Sequence, residues 1–445
     1  MSKYRFTTIG ILALGLHLSP YVWSENLDHV IKQALHNHPQ VLIGLKRMQI
    51  SREKVNRALS EYWPTLDFNM AAGGQKRWLP PSQQTSPTST HDNSYTRKEG
   101  SISFKQNVFS GFYTKNNVEK TRHLTSAETH KMSSSFQDLA LKIITAYMKV
   151  LESLELIELA EGNVEFHNKV YEKIKKKTNQ GLVGISELIQ IGMKQSQSKA
   201  NLINAHINLE SARTNYYSIV GVVADEKLLP PNIDRLKMPQ SFSDALKLSN
   251  NEHPAVIRAN YQIQAAEADY AANKSRYFPT LDLEIDQTWK TNVDGQHDTT
   301  TDLVAMAKIS YNIFRGGADL SLVKESAYMV EESRAQKTLL MREIEGKLRR
   351  AWDNHELLVV EIRYLRQQEA DAIKLIKVFR DKFNLGRKGI VDVLDAENEL
   401  LEVSRNLINS TYAEMLSRYE ILASSGQLLK EFNLVWNDDW TVEEK

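Results

Sequence analysis

Two halves of this chain repeat one another in register, and that repeat limits the fold more than any other feature. His38-Pro39 returns as His253-Pro254, and Tyr62-Trp63-Pro64-Thr65-Leu66-Asp67 returns as Tyr277-Phe278-Pro279-Thr280-Leu281-Asp282, each 215 positions later. Asn107-Val108-Phe109-Ser110-Gly111 then matches Asn312-Ile313-Phe314-Arg315-Gly316 at a distance of 205. The same offset relates Gly181 to Gly386 and Asn201-Leu202-Ile203-Asn204 to Asn406-Leu407-Ile408-Asn409. The first half therefore carries ten extra residues between Asp67 and Asn107. Length alone would suggest about three domains, but a duplicated plan implies two structural repeats that share one architecture.

Each half reads as helix, strand, loop, strand, very long helix, turn, helix. In the first repeat, 25–231, an opening helix is expected over 27–61, a β-hairpin over 63–110, a long helix over 112–177, a tip turn over 178–185 and a return helix over 186–221. In the second, 232–429, the helix is expected over 243–276, the hairpin over 278–315, the long helix over 317–382, the tip turn over 383–390 and the return helix over 391–427. Pro64 and Pro279 end the opening helices because proline has no amide donor. The long helices lack proline, and at 1.5 Å per residue each makes a rod of about 100 Å. Phe136, Leu139, Ile143, Tyr147, Val150, Leu154 and Ile157 step by three and four, a coiled-coil seam. Such hairpins are too long for a compact core and must pack as a bundle or tube. Residues 430–445 form a polar tail that holds Trp436 and Trp440.

The strands alternate. Leu281, Leu283, Ile285 and Trp289 fall on one face, and Asp282, Glu284, Asp286 and Thr288 on the other. One apolar and one charged face suit the wall of a barrel with lipid outside and water inside, and the strand lengths suit a membrane crossing. A small sheet half-buried against helices is the plainer alternative. Trp78, Tyr95 and Trp289 are candidates for an aromatic girdle. Mean hydropathy of −0.44 excludes a polytopic helical membrane protein. The apolar stretch 6–18 is too short to span, and it follows Lys3 and Arg5, so 1–24 reads as a signal peptide cleaved after Ser24. With no cysteine, a lipid anchor, disulfides and thiolate chemistry are excluded. Four strands cannot close, and an open edge cannot sit in lipid. Several chains must share one barrel, as a dimer, trimer or tetramer.

Nothing points to an enzyme: the nucleophile-elbow, phosphate-loop and His-Glu-x-x-His patterns are all missing. No cofactor or metal is expected. His29 and His36 share a helix face near His38, but no carboxylate completes a ligand set. A net charge of +1 gives no field for nucleic acid. Lys173, Lys175, Lys176 and Lys177 read as a solvated helix end, with an adaptor contact as the alternative.

From about residue 27 to 429 the chain resembles the TolC family of outer-membrane efflux and secretion ducts. The most specific block is Phe383-Asn384-Leu385-Gly386-Arg387-Lys388-Gly389-Ile390-Val391-Asp392-Val393-Leu394-Asp395-Ala396, with a weaker partner over 179–187. The resemblance implies a homotrimer with a twelve-stranded β-barrel in outer-membrane lipid. It also implies a periplasmic α-helical tunnel that meets an adaptor (membrane fusion protein) and an inner-membrane ABC or other transporter. Asp392 and Asp395 take the place of the pore constriction. Ser186, Glu187, Phe383 and Lys388 take the place of the gate lock, with Glu187 and Lys388 as its ion pair, although Phe383 offers no hydroxyl to Ser186. Gly181, Leu182, Gly184, Gly386, Arg387 and Gly389 form the tip turns that contact the adaptor. The expected function is passive conduction in a tripartite export system, with type I protein secretion ahead of multidrug efflux. A periplasmic coiled-coil adaptor or scaffold is the alternative from a different class.

Overall fold

The computed structural model describes residues 26–76, 94–225, 227–293 and 298–434. The signal segment, Trp78, Trp436, Trp440 and the side chain of Tyr95 lie outside the described residues. Each repeat opens with two helices, α1 (Leu27–Asn37) and α2 (Pro39–Leu59) in the first, α5 (Phe242–Glu252) and α6 (Pro254–Asn273) in the second. The single opening helices expected over 27–61 and 243–276 are thus each broken at the repeated His-Pro. Pro39 and Pro254 force the preceding histidine out of the helical region, to ψ of 132° and 124°. Each proline then begins the next helix, where no amide partner is needed. Each histidine caps that helix, with Nδ1 accepting from Gln40 N–H or Ala255 N–H at 3.1 Å. Burial pushes the His253 imidazole down to about 4, which keeps it neutral for this task. His38 Nδ1 is engaged in the same way.

Strands β1 (Thr65–Lys76), β2 (Ser94–Phe109), β3 (Thr280–Thr291) and β4 (Thr299–Ser310) form one antiparallel sheet in sequence order. Register places Leu66, Phe104, Ile285 and Ala305 in one row, and Asp67, Ser103, Asp286 and Val304 in the next. The expected faces are therefore those of the sheet. On the polar face Asn107 Nδ2 donates to Asp282 Oδ1 at 2.9 Å, and Lys105 Nζ lies 3.2 Å from Glu284 Oε1. On the other face Leu66, Phe68, Met70, Leu303 and Ile309 are all more than 65% exposed. Among the described residues nothing pairs with the outer edge of β1 or of β4.

The rods are α3 (Tyr113–Asn179) and α7 (Ala318–Asn384), followed by return helices α4 (Ile185–Val220) and α8 (Ile390–Ser424) and a short α9 (Leu428–Glu431). The predicted seam lies inward on α3, where Phe136, Leu139, Ile143, Tyr147, Val150 and Ile157 are buried and Leu154 is half-buried. It packs against α1, α2 and the ends of α4, α8 and α9 in the main core. Tyr147 also donates its hydroxyl to Leu229 O at 2.7 Å, tying down the segment between the repeats.

Gly426 closes α8 at φ +77°, and a Cβ there would stand 2.7 Å from His253 Cα. Gly426→Ala is expected to destabilise the fold by about 2 kcal/mol or more. Gly162→Ala, mid-helix with nothing within 4 Å, is expected to stabilise it by about 0.5–1 kcal/mol. Thermal unfolding in detergent, followed by circular dichroism, reads both; equal shifts would contradict the first.

Candidate gate at the hairpin tips

The two rods end alike. Gly181 and Gly386 take left-handed φ values of +71° and +69°. Leu182 N–H then donates to Lys177 O and Arg387 N–H to Lys382 O, each at 2.9 Å, with shorter loops closed by Gly181 to Thr178 O and Gly386 to Phe383 O. This closure satisfies the carbonyls at the helix ends. Gly184 and Gly389 are extended and start the return helices. The chain reverses over 180–184 and 385–389, leaving Leu182 and Leu385 about 70% exposed at the apices. Behind them Ile174, Ile191, Ile390, Val393 and Leu394 form a small buried cluster, flanked by Phe379 and Phe383. This second core, separate from the main one, joins the hairpin α3–α4 to the hairpin α7–α8.

Asp392 and Asp395 stand on the first turns of α8. Asp392 Oδ2 accepts from Gly389 N–H at 3.1 Å, so it caps its own helix, and its Oδ1 lies 3.0 Å from Lys388 Nζ. The bond from Lys388 holds the Asp392 carboxyl below the usual range, assisted by the lysine's charge and the Gly389 amide and opposed by desolvation. Asp395 is mostly exposed and meets Lys194 Nζ of α4 at 3.6 Å.

The expected Glu187–Lys388 ion pair is not formed. Lys388 turns to Asp392, four residues ahead on the same turn, where pairing requires little ordering of the chain. Ser186 and Glu187 are exposed. Phe383 still links the hairpins, though without a hydroxyl: Lys177 and Lys173 of α3 lie 5.0 and 5.6 Å from its ring centre. Lys173 and Lys175 nevertheless stay exposed, Lys175 lying over Tyr171 at 5.9 Å.

Sequence reasoning missed two participants. Arg380 lies over Phe166 at 5.1 Å and donates to Glu397 Oε2 at 3.1 Å, while burial raises the Glu397 carboxyl. Lys194 was the other, and the repeat held a signal for it: its counterpart 205 positions on is Glu399, a reversal of charge. An aromatic belt was also missed at the helix end of the sheet, where Tyr62, Trp63, Phe112, Tyr277, Phe278, Tyr311 and Phe314 are exposed. Its signal was the repeated Tyr-Trp-Pro and Tyr-Phe-Pro. Trp289 lies near the other end, on the apolar face opposite Gly100.

Because Lys388 depresses Asp392, the wild-type carboxyl stays charged to lower pH than an ordinary aspartate. In Lys388→Ala it is expected to protonate at higher pH. Reversal potentials recorded between pH 3 and 6 are expected to lose cation preference earlier in the variant, and superimposable curves would count against the pairing.

The profile described as "Outer membrane efflux protein" matches residues 30–222 and 245–427. The chain belongs to the outer membrane efflux protein family. The family's two matched segments follow the two repeats. The outer membrane efflux protein BepC of Brucella suis is 22% identical, over 91% of this chain and 86% of BepC. The alkaline protease secretion protein AprF of Pseudomonas aeruginosa is 20% identical, over 85% of this chain and 80% of AprF. The Campylobacter jejuni CmeC outer membrane channel superimposes with a TM-score of 0.79 at 14% identity, over 91% of this chain and 86% of CmeC. Membership of the outer membrane efflux protein family places this chain among outer-membrane channel proteins, not enzymes, and removes the adaptor alternative.

Proposed function

We propose that three copies of the chain assemble one duct, a twelve-stranded barrel in the outer membrane continued by a helical tunnel across the periplasm. The observation that carries this reading is the four-stranded sheet with one exposed apolar face and two unpaired edges. Lipid satisfies the face, and only further strands satisfy the edges. Three copies rather than two or four follow the resemblance to the TolC family. Exposed apolar stripes on the helices support the same assembly: Ile185, Ile189, Met193, Ile203 and Ile207 on α4, and Leu357, Val360, Tyr364 and Val378 on α7. Each stripe is a surface for a neighbouring copy.

In this reading the duct conducts passively and an inner-membrane transporter with its periplasmic adaptor supplies the energy. The tip turns with Gly181, Leu182, Gly184, Gly386, Arg387 and Gly389 receive the adaptor, and Asp392 and Asp395 ring the narrowest point. Type I protein secretion is the proposed service, supported by the likeness to AprF. The likeness to BepC favours efflux of small molecules as the second reading. The test is complementation of a host deleted for its own duct, with a protein-exporting ABC transporter and adaptor supplied. Extracellular substrate protein is the expected result. Restored resistance to dyes without protein export would select the second reading, and neither would reject the duct.

A further inference from the structure

We propose that Lys194 is the latch between the two hairpins of each chain, and that its counter-ion is the constriction carboxylate Asp395 itself. Parting the hairpins and unpairing the constriction are then one event. The proposal rests on the duct reading above. Lys194 belongs to α4 and Asp395 to α8, and their charged atoms are 3.6 Å apart. Among the described residues this is the one ion pair between the hairpin α3–α4 and the hairpin α7–α8. It stands beside the small tip core, one turn from buried Ile191 on α4 and next to buried Leu394 on α8.

The surroundings of Lys194 direct it across the seam. His167 of α3 is buried, its Nδ1 has no hydrogen-bond partner, and burial followed by the lysine's charge lowers its pKa, so it stays neutral. The carboxylate within ion-pair distance of Lys194 is that of Asp395. Asp392 differs, because its lysine comes from its own turn. When the hairpins part, Lys388–Asp392 travels as a unit and Asp395 alone is released. The two constriction residues therefore have different duties: Asp392 caps and stays paired, and Asp395 reports the state of the gate.

Single-channel recording in planar bilayers tests this. The wild-type protein must first form channels; if it forms none, it is the duct reading that fails. With channels present, Lys194→Gln is expected to raise the resting conductance or open probability about two- to fivefold, the scale of an exposed ion pair. The exchange of Lys194→Asp with Asp395→Lys is expected to return conductance to the wild-type level and shift preference toward anions. A merely structural lysine would restore neither. Because the chain has no cysteine, a Lys194→Cys, Asp395→Cys pair can be joined by a short bismaleimide, and the joined protein is expected to stay at the resting level. Wild-type conductance in Lys194→Gln, an exchange variant as open as the single variant, or a joined pair that still opens would each overturn the latch.

Discussion

Ile285→Arg is expected to abolish assembly in the outer membrane, while Thr288→Arg, three residues along the same strand, is expected to leave it intact. Ile285 sits mid-strand on the apolar face, in a row with Leu66, Phe104 and Ala305. Thr288 lies on the polar face, opposite Ser101 and Asp302. An arginine facing lipid near the bilayer centre costs about 2–4 kcal/mol, and a homotrimer incurs it three times, roughly 6–12 kcal/mol per barrel. That is comparable to the whole stability of a typical fold. An arginine at 288 points to water and meets the Asp302 carboxylate across the strand pair. The measurement is the fraction of chain recovered from outer membranes as an oligomer resistant to unheated detergent. Equal recovery of the two variants would contradict the assignment of faces, and with it the barrel.

That contrast depends on a pattern legible in the sequence alone, and the reason is physical. A strand's side chains alternate strictly, so Leu281, Leu283 and Ile285 against Asp282, Glu284 and Asp286 mark both the element and its two unlike faces. The rods were equally legible, because Phe136 to Ile157 keeps a step of three and four over many turns. The His-Pro breaks were not, although both prolines stand in the repeated sequence. The apolar spacing continues through each junction, and only the backbone shows that a proline starts a new helix there rather than bending an old one. The tip was legible as a place and not as a set of contacts. Gly181, Gly386 and the aspartates marked it, but pairing across hairpins depends on side chains that differ by a turn. Lys388 has a nearer acid in Asp392 than in Glu187, and the cross-hairpin cation is Lys194, outside the tip motif. Phe383 lost the hydroxyl expected at its position and kept its linking place through two lysines over its ring.

Neutralising both constriction residues, Asp392→Asn with Asp395→Asn, is expected to remove the cation preference of the channel without preventing its assembly. Both side chains are at least partly exposed on the first turns of α8, and neither belongs to the buried tip cluster. In the proposed trimer they would make two rings of three carboxylates around a narrow aqueous path. Even water-like screening lets such rings around a narrow path enrich cations over anions by roughly tenfold or more. The preference of the wild type is smaller than six bare carboxylates would give, because in each chain Lys388 partly offsets Asp392 and Lys194 partly offsets Asp395. The ratio of cation to anion permeability, read from reversal potentials in a salt gradient, is therefore expected to fall about tenfold in the double variant. It is expected to fall less in Asp392→Asn alone, because the Asp395 carboxylates remain. Raised salt must shrink the wild-type preference as the screening length shortens. A preference that survives both substitutions would move the selective ring elsewhere, to the polar face of the sheet, which carries Asp67, Asp282 and Asp286.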